Sequence, residues 1–145
     1  LDMYDIRIAW EGIAARGAAK HATEEQLKEM KDTLDLQKFY IDKDGDPTLK
    51  ADDIKEMDSK FHRLIYMSCG SRVYSDTLLP LHMKMLKSRK ASVSKRSRAQ
   101  ESYEEHLAIY AAIKERNEML AEERMLHHIA KAKDSVYTMP DSIFN

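Results

Sequence analysis

Four side chains in this sequence combine reactive chemistry with an inward-facing position: Asp58, His62, His106 and His128. Asp58 and His62 lie in the stretch Asp52–Ser68, DDIKEMDSKFHRLIYMS, where Ile54, Phe61 and Ile65 recur at helical spacing and form an apolar stripe. They are four residues apart on that stripe, so they stack one turn above the other. A carboxylate on a buried face is costly unless something neutralises it. An Asp and a His paired in this way make half of a metal site.

The other half is found further along the chain. A helix over about Ala99–Arg116 places Tyr103, His106, Tyr110 and Ile113 on one stripe, with His106 in its middle. A last helix over about Glu118–Lys133 aligns Ala121, Met125, His128 and Ala132, while His127 falls in line with Glu123 and Lys131. His128 therefore points inward and His127 outward. Antiparallel packing of three helices brings the four residues together inside a bundle, where metal sites are commonly built. Three imidazoles and a carboxylate suit a borderline divalent ion, zinc or nickel rather than calcium or magnesium. The alternative is a set of separate core histidines, each with its own hydrogen-bond partner.

The remaining elements must position these groups. A first helix is expected over Asp2–Lys20, with Met3, Ile6, Trp10, Ile13 and Ala14 as its apolar face and a tight AARGAA stretch that lets another helix approach. Arg7 and Glu11 form an (i, i+4) pair at the edge of that face, open to two readings: a surface ion pair or a ligand-holding pair. Thr23 and Gln26 read as a capping box opening a second helix to about Tyr40, which buries Leu27, Met30, Leu34 and Leu36. Ile41–Leu49 contains DKDGDP, a turn by composition. It does not match a calcium loop, because Gly45 precedes Asp46 and no closing Glu follows. Gly70 terminates the Asp52–Ser68 helix. A fourth helix from about Ser71 carries Val73, Leu78, Leu79, Leu81, Met83 and Leu86, and Pro80 is expected to kink it. His82, alone on that helix, reads as a hydrogen-bonded core residue. From Lys84 to Arg98 the chain holds seven basic residues and no acid, read as a solvated, mobile connection rather than an anion-attracting patch. No aromatic residues interleave the charges, as single-strand binding would want.

Composition narrows the class. The 145 residues include only 4 Gly and 3 Pro, and Ala, Leu, Met, Glu and Lys are common, which favours helices. One domain of this length buries roughly two thirds of its unfolded surface. The net charge of −1 gives no overall field for a polyanion. A lone Cys69 excludes a disulfide framework and a thiolate zinc cluster, and reads as a buried structural thiol in a cytoplasmic protein. No apolar run approaches the ~20 residues of a membrane span. The chain starts at Leu1 and reads at once as mid-protein helix, so a piece of a longer protein is expected. No His has a Glu three residues before it, which removes the di-iron bundle motif. There is no His-Glu-x-x-His, nucleophile elbow or glycine-rich phosphate loop.

Asp58-Ser-Lys-Phe61-His62, then Glu105-His106 with Ile109 and Ala112, then His128, together resemble the FCD family. That family is the C-terminal effector-binding domain of FadR-type regulators in the GntR superfamily. The opening YDIRIAWEGIAARGAA is similar to the family's first helix, with Arg7 and Glu11 in its Arg-x-x-x-Glu positions. The resemblance runs from Met3 to Ala132 and implies an all-α, antiparallel bundle of six or seven helices, usually a homodimer. It implies that Asp58, His62, His106 and His128 hold a divalent cation, zinc before nickel. A small carboxylate metabolite then completes the coordination, and Arg7 matches an effector-binding position. Where the family usually has Gly-Asn after the third helix, this chain has Gly70-Ser71-Arg72, so the pocket amide is missing or replaced.

Residues 1–135 are thus expected to form the metal- and effector-binding domain and 136–145 a tail. DNA would be contacted only through an N-terminal winged helix-turn-helix that this chain lacks. The expected function is a ligand-sensing, dimerising domain of a bacterial transcription regulator, not an enzyme. Two rivals are a metal-dependent hydrolase and a purely structural dimerisation domain. Against the hydrolase stands the lack of a general base beside the ligands, since Glu105 points about 100° away from His106 on an ideal helix.

Overall fold

The computed structural model describes residues 2–43, 51–88 and 96–137. Among them are six helices and no strand: α1 Asp2–His21, α2 Glu24–Asp42, α3 Ala51–Met67, α4 Arg72–Ser88, α5 Arg96–Lys114 and α6 Glu118–Tyr137. The capping box is present, with Thr23 Oγ1 accepting from the Gln26 amide and Gln26 Oε1 accepting from the Thr23 amide. Gly70 ends the α3 turn at φ +78°, where a Cβ would meet the His21 ring at 2.3 Å. Helix α2 runs to Asp42, beyond the expected Tyr40. Residues 44–50 of the acidic turn, 89–95 of the basic connection and 138–145 of the tail lie outside the described residues. Val136 and Tyr137 belong to α6 rather than to the tail.

Helix α1 lies along α6, and both α5 and α3 pack against α2. The pairings Asp5–Lys133, Gly12–Leu126 and Arg16–Glu122 show that α1 and α6 run antiparallel. A small residue allows that approach, since a Cβ on Gly12 would sit 3.0 Å from Leu126; Gly17 likewise admits the Cys69 carbonyl, beyond the end of α3, which a Cβ would meet at 2.3 Å. Cys69 itself is buried and free, as expected.

The inward face of α1 differs from the expected one. Ile6 and Trp10 remain 40 % and 39 % exposed, whereas Arg7 and Glu11 are buried with Tyr4, Ala14, Ala15 and Ala18. The reason is steric. The alanine stripe permits the closest helix contact, and Arg7 and Glu11 continue that stripe at helical spacing. The large apolar residues occupy the neighbouring arc, where Trp10 meets Tyr74 of α4 edge-on. Leu36, Val73 and Met83 are also exposed, and α4 buries Leu78, His82 and Met85. Pro80 sits inside a helix that continues on both sides of it. The stripes of α3, α5 and α6 are buried as the periodicity predicts: Phe61 and Ile65, Tyr103 and Ile113, Ala121, Met125 and Ala132.

Candidate metal centre

Helices α3, α5 and α6 bring Asp58, His62, His106 and His128 to one buried point, with one ligand atom from each lying within 4.8 Å of all the others. The three Nε2 atoms form a triangle: His62 to His106 is 3.2 Å, His62 to His128 is 3.1 Å and His106 to His128 is 3.1 Å. Asp58 Oδ1 stands 3.1 Å from His106 Nε2 and 3.9 Å from His62 Nε2. Phe61 closes one side, its ring centroid 4.6 Å from that of His106. His127, as expected, is exposed.

The outward nitrogens decide what the inward ones carry. His62 Nδ1 donates to Glu11 Oε1 at 2.9 Å, His106 Nδ1 to Gln37 Oε1 at 3.0 Å and His128 Nδ1 to Glu105 Oε1 at 2.7 Å. Each outer partner is an acceptor, so each Nδ1 holds the proton and each Nε2 presents a lone pair. Three lone pairs at this separation cannot satisfy one another, but a shared Lewis acid satisfies all three. Nitrogens ~2.0–2.1 Å from one zinc would lie about 3.3 Å apart at tetrahedral and about 2.9 Å apart at octahedral angles. The observed spacing lies between, so the donor set fits a single divalent ion. Outer partners that fix tautomer and ring orientation are also what histidine metal ligands require.

The charges agree with this. Burial, followed by the neighbouring imidazoles, pushes His128 down to about 3, and burial also takes His62 down to about 4 despite Glu11. Both rings are therefore neutral and ready to bind at neutral pH. Burial alone would raise Glu11, but Arg7 and His62 outweigh it and hold the carboxylate well below its ordinary range. Glu105 is opposed by burial in the same way, and its bonds from His128 and Arg98 hold it near 2.

Arg7 reaches the centre only through other groups. Its Nε pairs with Glu11 Oε2, while Glu11 Oε1 accepts from His62 and, at 2.6 Å, from the Tyr66 hydroxyl. The pair is no surface ion bridge, since Arg7 and Glu11 are almost completely buried. Both Nη atoms of Arg7 lack a hydrogen-bond partner among the described residues, and the guanidinium borders a small cavity with Glu11, Tyr66, Leu78, Leu81, His82 and Met85. His82 is a hydrogen-bonded core residue, 2.8 Å from Ser59 Oγ and stacked on His62.

Around the cluster stand Glu11, Gln37, Glu105 and Arg98, of which the sequence pattern singles out only Glu11, as the partner of Arg7. Gln37 was visible in principle: it continues the Leu27, Met30, Leu34 stripe of α2, a polar group on a buried face like Asp58. Glu105 points away from its neighbour His106 as ideal geometry requires, but toward His128 on the facing helix.

Fold and centre together define an all-helical bundle built around a buried three-histidine, one-aspartate cluster. Residues 2–131 match the FCD domain. Over 131 residues the chain is 28% identical to the HTH-type transcriptional repressor RspR of Escherichia coli strain K12, covering 90% of this chain and 55% of that protein. The HTH-type transcriptional regulator YdfH of Shigella flexneri matches to the same extent. This chain thus spans about half the length of the curated relatives it matches. Among solved structures, Streptococcus agalactiae GntR superposes with a TM-score of 0.76 at 23% identity, over 92% of this chain and 57% of that one. E. coli McbR/YncC gives 0.79 at 17%, over 94% and 63%. At those identities the two structures speak for the fold. The chain belongs to the FCD domain family. It is therefore a regulatory domain rather than an enzyme, which sets the hydrolase reading aside. No described helix is long and apolar enough to cross a membrane.

Proposed function

We propose that residues 1–135 are the ligand-sensing and dimerisation domain of a bacterial GntR-family transcription regulator acting in the cytoplasm. Asp58, His62, His106 and His128 would hold one divalent ion, zinc in preference to nickel, and a small carboxylate metabolite would complete its coordination. The observation that carries this reading is the convergence of three Nε2 lone pairs, each backed by an outer acceptor.

Charge favours an anionic ligand. Glu11 is paired with Arg7 and Glu105 with Arg98, and the cluster itself offers one carboxylate, Asp58, beside three imidazoles. A divalent ion added to one carboxylate makes a buried centre of net positive charge, and a carboxylate neutralises it. Arg7 would serve the effector through its buried Nη atoms. The ion would supply a Lewis-acid docking point. The chain's own residues fix the ring orientations, hold protons on the three Nδ1 atoms and wall the site with Phe61.

The large apolar residues left exposed on α1 and α4, Ile6, Trp10, Val73 and Met83, supply a surface for a second copy. DNA would be contacted by a helix-turn-helix domain outside this chain, as the names of the relatives imply for those proteins. An effector shifts such a dimer only by binding one arrangement better than the other, with a typical coupling of about 1–3 kcal/mol. Thermal-shift screening of small carboxylates against the zinc-loaded domain tests the effector half. Stabilisation by a carboxylate that disappears in Asp58→Ala and weakens in Arg7→Gln is expected. Equal stabilisation with and without zinc would contradict it.

A further inference from the structure

The two carboxylates that hold metal-facing histidines are secured differently. Glu11 is sealed, with Arg7, His62 and Tyr66 all donating to it inside the core. Glu105 lies at the edge, in the wall of an open groove formed with Glu101, Glu104, Ala108, Arg124, His127 and Lys131. The same groove is lined by two cations, Arg124 and Lys131. Together with the His128 ring, a third cation holds the Glu105 carboxylate in place. Arg98 spans both oxygens, Nη1 to Oε2 at 3.0 Å and Nη2 to Oε1 at 2.8 Å, and its Nη1 also reaches Glu101 at 3.4 Å. The side chain of Arg98 is only 12 % exposed. The oxygen that Arg98 Nη2 grips is the one that accepts the His128 Nδ1 proton.

We propose that Arg98, the last residue of the basic run and part of the first turn of α5, is a positioning residue of the metal centre: by clamping Glu105 it helps fix the His128 ring and tautomer that present Nε2 to the ion. A bidentate guanidinium–carboxylate pair holds a plane, which a lysine ammonium, acting as a point charge, does not. The first turn of α5 is thereby tied to α6 through Arg98, Glu105 and His128, so loading the ion stabilises that turn. The proposal rests on the metal reading above and extends it to a residue in a charge run otherwise read as solvated.

The experiment compares wild type, Arg98→Gln, Arg98→Lys and the exposed-pair control Arg16→Gln, using zinc alone as probe in competition with a chromophoric chelator. Wild type and Arg16→Gln are expected to bind one zinc with equal affinity, Arg98→Gln about tenfold more weakly and Arg98→Lys in between. In the apo proteins, the His128 ring nitrogens should report an Nδ1-protonated tautomer in wild type and a tautomer mixture in Arg98→Gln. A merely structural role would lower apo thermal stability and leave zinc affinity and tautomer unchanged, which overturns the proposal and spares the metal centre. Should Arg98→Gln not fold, unchanged affinity in Arg98→Lys overturns it equally. No zinc bound by wild type overturns both readings.

Discussion

Two chains of the same three residue types meet the same centre from different sides. Arg7–Glu11–His62 is sealed between α1 and α3, and Arg98–Glu105–His128 is half-open between α5 and α6. In the first, an arginine and a glutamate are both removed from water, so breaking the pair should cost the fold stability. In the second, the Glu105 side chain is 11 % exposed and borders an open groove, so its loss should be felt less by the fold and, on the metal reading, more by the ion. On the metal reading, the same hydrogen-bond logic would serve stability on one side of the site and ion affinity on the other.

Substitutions can break this contrast. The largest effect is expected for Glu11→Gln, which leaves the buried Arg7 charge uncompensated and should cost about 3–5 kcal/mol of unfolding free energy in denaturant titration. A loss below 1 kcal/mol would mean that the pair is hydrated. Acid comes next. His62 and His128 lie at about 4 and about 3 in the fold against 6.5 ordinarily, so the unfolded chain takes up protons first as pH falls. Their contribution is fully present above 6.5 and is lost as pH drops through the fold's own values. Glu105 acts in the same direction lower down, between 4.5 and about 2. Apo melting temperature should therefore fall steeply from pH 6.5 to 4, and a flat profile would contradict buried neutral rings. Gln37→Leu, which strands His106 Nδ1, should cost about 1–3 kcal/mol and lower zinc affinity, read by the same titrations. The smallest change is expected for Glu105→Gln: zinc affinity drops about tenfold while apo stability changes far less than in Glu11→Gln.

How far the sequence could be read follows from the same contrast. Asp58, His62, His106 and His128 were legible because each interrupts an apolar stripe at helical spacing, an anomaly contained within one helix. The separation of His128 from His127 needed no more than that. Helix α1 forms over the expected residues and buries Ala14, but its inward face turns away from Ile6 and Trp10, because the buried arc is made largely of alanines, whose hydrophobic signal is weak. Glu11 shares the alanine stripe of its own helix, but nothing on that helix shows its partners across the core. Its burial depends on His62 and Tyr66, 51 and 55 residues away. Arg98 was hidden by its neighbours, since a run of like charges reads as solvated unless one member finds a carboxylate. Gln37 carried the same signal as Asp58 on the Leu27–Met30–Leu34 stripe, but an amide is cheaper to bury than a charge and stands out less.

The central claim is that three convergent imidazoles and Asp58 hold a metal ion. Mass spectrometry of metals in protein purified without added metal or an affinity tag tests it most directly. About one divalent ion per chain, absent from His106→Ala, is the predicted result. Metal-free wild-type protein that zinc and nickel both fail to stabilise would contradict the account and leave a helical regulatory domain whose histidines serve the core alone.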